Sequence, residues 1–240
     1  MERGSGILMH ITSLPNDLGI GTLGYESYKF IDFLERIGQK YWQILPLGQT
    51  GYGNSPYQCF SSFAGNPFLI SLELLEDRHL LKKSDYMHLD YGKNKRLIDF
   101  RKIQKNKMQV LRLAYKHGKT VYKKEIENFQ KENKWWIKDY ALYMAVKNRY
   151  RGKSWMVWNE KIKHRDEKCM EKYHNLLHEE VCFWIFIQYI FFEQWKHIKR
   201  YANNRGIKII GDIPIYTALD SADVWANSEL FKMDQEKKPT

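Results

Sequence analysis

The chain has 240 residues, is 43% hydrophobic and carries a formal net charge of +11, so it can bury a substantial core in one or two domains. Its three cysteines, Cys59, Cys169 and Cys182, include no close-spaced pair, which excludes a disulfide framework and a zinc ribbon. The N-terminal stretch MERGSGILMHITSLP lacks the apolar core of a signal peptide, and the longest apolar run, 181–192, is too short for a bilayer. A cytoplasmic protein with no membrane contact is expected.

In chain order, residues 5–11 (SGILMHI) form a short apolar strand, followed by a turn-rich loop over 12–24. Tyr25–Lys40 has helical spacing, with Phe30, Phe33, Leu34 and Ile37 on one face and Gly38 marking its end. Tyr41–Leu47 is a second strand, closed by Pro46 and the glycine-rich loop 48–58. A crossover of this length implies parallel pairing. The pattern returns later: Glu179–Asn203 is a long apolar helix, Gly206 punctuates its end, and IKIIG at 207–211 is a strand running into Asp212.

Between these joins, roughly 70–175, the chain shows helical stretches and no strand–helix alternation, as an insertion would. The basic charge concentrates there: 82–174 hold 26 Lys/Arg against 11 Asp/Glu. Lys-rich solvated helix faces account for this as well as a nucleic-acid surface does. The expected division is therefore 1–69 (two β/α units), 70–175 (helical insertion) and 176–240 (a third strand). Such a pattern fits either a doubly wound sheet or a (β/α)8 barrel, and both put function in the loops after the strands, here 12–24, 48–68 and 212–227.

Four motifs stand out. GIGTLG at 19–24 matches a dinucleotide fingerprint, but it does not follow its strand directly and no acidic residue ends the second strand, so the glycines are better explained as turn residues. His174 and His178 have metal-compatible i, i+4 spacing in a helix, yet no third ligand lies nearby, and a solvated face explains them. GYGNSPYQCFSSFAGNP at 51–67 joins Tyr52, Tyr57, Phe60 and Phe63 to turn makers, hydroxyls and amides. Flat aromatic faces beside small polar groups suit the apolar side and the hydroxyl rim of a pyranose. Finally, Asp212 at the tip of a buried strand has the position of a ligand-binding or catalytic carboxylate, whereas Asp220 and Asp223 could equally cap a helix.

The strings HITSLP, GIGTLG, WQILPLGQTGYGNSPYQCFSSFAGNP and GDIPIYTALDSADVWANSELF, in this order, resemble the amylomaltase (4-α-glucanotransferase) family from about residue 5 onward. The resemblance implies the N-terminal portion of a (β/α)8 TIM barrel with a large helical insertion after the second strand. It also implies transfer of α-1,4-glucan segments between maltooligosaccharides by a retaining double displacement, with no cofactor and no metal. On it, Tyr57 would stack on the sugar beside the scissile bond and Ser55 would share its loop. Asp212 would bind that sugar or organise the catalytic carboxylates, and Tyr52 would serve an accessory glucan site. The family's Arg-Ile-Asp-His-Phe-Arg-like and Glu-Asp-Leu-Gly-like stretches, which carry nucleophile and acid/base, do not occur in the sequence and are expected beyond Thr240. The 240 residues alone are therefore expected to be inactive, partnered by α-glucans and by the C-terminal half of the barrel. The alternatives are an α-glucan-binding remnant without catalysis and, less in keeping with the motifs, a basic nucleic-acid-binding protein.

Overall fold

The structure is a computed structural model that describes residues 3–51, 53–92, 94 and 96–240. In chain order its main elements are β1 (Gly6–Leu8), α1 (Tyr25–Arg36), β2 (Tyr41–Gln43), α2 (Leu72–Asp77) and α3 (Phe100–Val121), then α4 (Lys123–Glu132), α5 (Ile137–Arg149), α6 (Glu160–Lys163) and α7 (Glu167–Leu176), and last α8 (His178–Asn204), β3 (Lys208–Ile210) and α9 (Ala222–Ala226). The three strands form one parallel sheet in the order β1-β2-β3, with Leu8, Gln43 and Ile210 in register.

Each later strand is entered by the same device. At the end of α1, Gly38 takes φ +73° and its N–H bonds Glu35 O at 3.0 Å, while Gln39 N–H reaches Leu34 O at 2.9 Å. At the end of α8, Gly206 takes φ +72°, bonding Asn203 O at 3.0 Å, and Ile207 N–H reaches Ala202 O at 3.0 Å. Both are Schellman caps, in which glycine supplies the left-handed residue that turns the chain back. The strand follows at once: Lys40 N bonds Ser5 O, and Lys208 N bonds Lys40 O, each at 2.9 Å. This cap ends α1 at Arg36, four residues short of the expected Lys40, because the last turn is spent on the reversal.

The two faces of the sheet differ. Trp42 and Ile44 are buried, with Phe30 of α1 edge-on to the Trp42 ring at 5.1 Å. On the opposite face Leu8 is 55% and Ile210 43% exposed, and Gln43 between them is exposed. A doubly wound sheet covers both faces with helices. One helix-covered face and one open face, in sequential strand order, is the arrangement of the first strands of a (β/α)8 barrel, whose inner face only other strands close.

The connection from β2 to β3 is helical throughout its named α elements. The apolar run at 181–192 lies in α8, and its one polar residue has a defined partner. Gln188 is fully buried, accepting from Gly65 N at 2.8 Å and donating to Gly65 O at 2.9 Å. Gln194 treats Ser71 in the same way at 2.8 and 3.1 Å. Both glutamines satisfy backbone groups of the segment after β2 that no sheet partner reaches. Among the described residues no helix is long and apolar enough to cross a membrane.

The chain forms two compact units, residues 1–47 with 65–122 and 187–213, and residues 48–64 with 123–186 and 214–240. Thus 70–122 group with the sheet, and 123–175 group with the loop after β2. The second unit has an aromatic core in which Trp225 lies 5.9 Å from Tyr143 and 5.6 Å from Trp158, with Trp155 and Trp184 fully buried.

The glycines of 19–24 have packing reasons. Gly19 takes φ +78°, and a Cβ on Gly21 would lie 1.9 Å from Ile11 O. Backbone passes too close there for any side chain.

Candidate functional site

The loop after β2 is a small hairpin. Thr50 bridges Cys59, Gly51 N bonds Gln58 O at 2.9 Å, and Phe60 N bonds Gln49 O at 3.1 Å. Gly53 (φ +86°) and Asn54 (φ +55°) take left-handed conformations at its tip, a role for which these residue types are suited. Ser55 Oγ then accepts from Tyr57 N at 3.3 Å, and Ser55 O accepts from Gln58 N at 3.1 Å. The expected pair thus meets directly: the Ser55 hydroxyl shapes the turn that leaves the Tyr57 side chain 43% exposed. Cys59 faces inward and donates its thiol to Pro56 O at 3.2 Å. Burial pushes that thiol up to about 11, so it is inert packing. Tyr52 lies outside the described residues.

The base of this hairpin is fixed by 219–225. Asp223 accepts from Ser62 N at 2.6 Å and from Ser61 Oγ at 3.2 Å, and Ala222 N donates to Phe60 O at 2.8 Å. Asp220 accepts from Tyr143 OH at 2.7 Å, Lys147 Nζ at 2.6 Å and Trp155 N at 3.3 Å. Lys147 is only 4% exposed, and its ammonium stands 4.7 Å over the Phe60 ring, a cation–π contact strengthened by desolvation. Burial, together with the Asp220 carboxylate, raises the Tyr143 phenol well above its usual value. The helix cap is neither aspartate but Ser221, whose Oγ accepts from Val224 N at 3.3 Å. Asp220 and Asp223 are therefore internal braces of the loop. Sequence pattern alone missed Lys147, although a lysine within the apolar stretch ALYMAVK was its signal.

Asp212 belongs to the other unit, two residues past β3 on a strand end that is half-buried. Tyr57 with Ser55, and Asp212, are thus held by separate compact units, each at the C-terminal side of a strand. The two histidines do not share a helix. His174 lies in the last turn of α7 and His178 opens α8, where its Nε2 faces Cys182 Sγ at 3.6 Å.

Against known proteins, the 4-alpha-glucanotransferase family profile matches residues 9–237. The chain belongs to that family. It is 51% identical over 228 residues to a 4-alpha-glucanotransferase of Clostridium butyricum, covering 95% of this chain and 47% of the relative. With the Aquifex aeolicus 4-alpha-glucanotransferase it is 43% identical, covering 99% of this chain and 48% of the relative. Among solved structures, it superposes with a TM-score of 0.97 on an amylomaltase from Streptococcus agalactiae in complex with acarbose, at 42% identity over 99% of this chain and 48% of that one. The chain spans about half the length of the curated family members it matches. The fold is accordingly the N-terminal portion of the family's barrel, with its helical insertion after β2.

Proposed function

We propose that these residues form part of the glucan cleft of a 4-α-glucanotransferase that passes α-1,4-glucan segments between maltooligosaccharides. The observation that carries this reading is the braced hairpin: a solvent-facing Tyr57 presented by Ser55 and anchored through Asp223, in a chain whose family match runs from 9 to 237. An exposed aromatic ring on a fixed backbone loses little entropy when a sugar stacks on it.

In the mechanism proposed, Tyr57 packs against the apolar face of the sugar next to the bond that breaks. Asp212 accepts hydrogen bonds from glucan hydroxyls, charge-assisted and therefore strong. A retaining displacement further requires two carboxylates about 5 Å apart, one attacking the anomeric carbon and one protonating the leaving oxygen. The sequence contains neither of the family stretches that supply them. That observation favours a second reading of the 240 residues by themselves, as a glucan-binding piece without turnover. Tyr52 is proposed for an accessory glucan contact. On the same reading the barrel portions 1–69 and 176–240 flank the insertion 70–175, the C-terminal half of the barrel supplies the chemistry, and the protein works in the cytoplasm without a cofactor.

Calorimetric titration of the 240-residue chain with maltotetraose tests the proposal. Binding should be saturable and unchanged between low and high salt. Absence of glucan binding, together with single-stranded nucleic-acid binding that weakens steeply as salt rises, would replace it with the nucleic-acid alternative.

A further inference from the structure

β1 and β3 end at the same level of the sheet, since Leu8, Gln43 and Ile210 are in register. The ladder continues past the strands, with Met9 N bonded to Gln43 O and Ile44 N to Ile210 O, each at 3.0 Å. Two residues further on, His10 follows Leu8 as Asp212 follows Ile210, and His10 keeps an extended backbone at φ −69° and ψ 142°. Side chains two apart along a strand share a face. Counted on from the register, His10, Leu45 and Asp212 are the next row of positions after Leu8, Gln43 and Ile210. Two strand spacings of about 4.8 Å separate His10 from Asp212, roughly 10 Å, a gap that a sugar residue can bridge.

The imidazole of His10 is not accounted for by the fold. Its Nδ1 is buried with no hydrogen-bond partner among the described residues, although the residue as a whole is only half-buried. A buried N–H without an acceptor is costly, so the ring proton belongs on Nε2 and Nδ1 keeps a bare lone pair. Burial also lowers the pKa of the ring, which keeps it neutral near pH 7. The result is an uncharged donor in the same row as a carboxylate acceptor.

We propose that His10 is a further substrate-contact residue of the same cleft, donating from Nε2 to a hydroxyl of the α-glucan unit that Asp212 engages. The inference rests on the glucan reading above. A donor and an acceptor fixed on one row recognise two hydroxyls of one sugar, and a neutral ring favours sugar hydroxyls over anions.

The test uses the 240-residue chain labelled with 15N at histidine and 13C at tyrosine, titrated with maltotetraose and followed by NMR. The His10 Nε2 resonance should shift along the same saturation curve as the Tyr57 ring. His10→Phe should weaken binding by about tenfold, while His10→Gln, which keeps a donor, should stay within about threefold of wild type. If the Tyr57 ring responds and the His10 ring does not, this inference fails and the glucan reading stands. If neither responds, both fail. Should His10→Phe not fold, the wild-type titration alone decides.

Discussion

Lys107 is the residue whose position most contradicts its chemistry. It lies in the middle of α3 with its ammonium fully enclosed, donating to Phe68 O at 2.7 Å. Burial lowers its pKa from 10.5 to about 7, only partly opposed by Glu73. Between those two values the unfolded chain holds a proton that the folded chain has lost. Stability should therefore rise with pH from about 7 to 10.5, this one group supplying a slope of up to about 1.4 kcal/mol per pH unit. Urea unfolding of wild type and Lys107→Met across that range checks it, and the variant should lose most of the slope. Tyr57 and Asp212 carry predictions of the opposite kind. Tyr57→Ala should weaken maltotetraose binding at least about tenfold while melting stays nearly unchanged, because a half-exposed ring contributes little to the core. Asp212→Asn is nearly isosteric and should change stability by less than about 1 kcal/mol while reducing glucan affinity about tenfold. A residue that only shaped its turn would give the reverse, lower stability with unchanged affinity.

Among the elements, the hairpin 48–64 owes its form less to its own turn than to the braces beneath it. Removing the Asp223 carboxylate leaves the Ser62 N–H and the Ser61 hydroxyl proton without their acceptor. Asp223→Ala should therefore speed amide exchange at Ser62 at least about tenfold and cost about 1–3 kcal/mol of stability, with glucan affinity falling through the loosened Tyr57. Helix α8 makes a second case. Gln188→Leu preserves the apolar run and removes both bonds to Gly65, leaving an N–H and a C=O buried and unpaired. It should destabilise by about 2–4 kcal/mol in chemical unfolding despite being the more hydrophobic sequence. Gly65 itself has no room to adjust, since a Cβ there would lie 2.1 Å from the Phe191 ring.

At the scale of the whole chain, the open face of the sheet and the segment after β3 point the same way. Leu8 and Ile210 stand exposed on the two outer strands of the sheet, β1 and β3, which pair only with β2 among the described residues, while Ile215 is 90% and Tyr216 85% exposed after β3. Exposed edges and apolar faces of this sort drive association between chains. Ile210→Lys should accordingly reduce concentration-dependent light scattering of the 240-residue chain without lowering its helical content. The same chain should release no glucose from maltotriose above a blank, because nucleophile and acid/base supply most of the rate enhancement in a retaining displacement.

The sequence by itself determined the strand–helix–strand rhythm, the two glycine-capped joins, the helical insertion and the family. These depend on local periods, on glycine at positions of positive φ and on the order of motifs, all readable along one dimension. It also singled out the loop that carries Tyr57, since turn makers and aromatics in one loop are a local pattern, while Ser55 entered only through the family resemblance. The roles of Asp220, Asp223, Lys147 and Gln188 were decided only by tertiary structure. Each is a polar group with a partner 65 or more residues away, and a carboxylate that braces looks the same in sequence as one that binds. His174 and His178 went the other way, since their i, i+4 spacing promised one helix and a break between α7 and α8 divides them. What separates these cases is the distance along the chain over which burial is satisfied: short-range patterns record the element, and only the fold records which polar atom ends up without water.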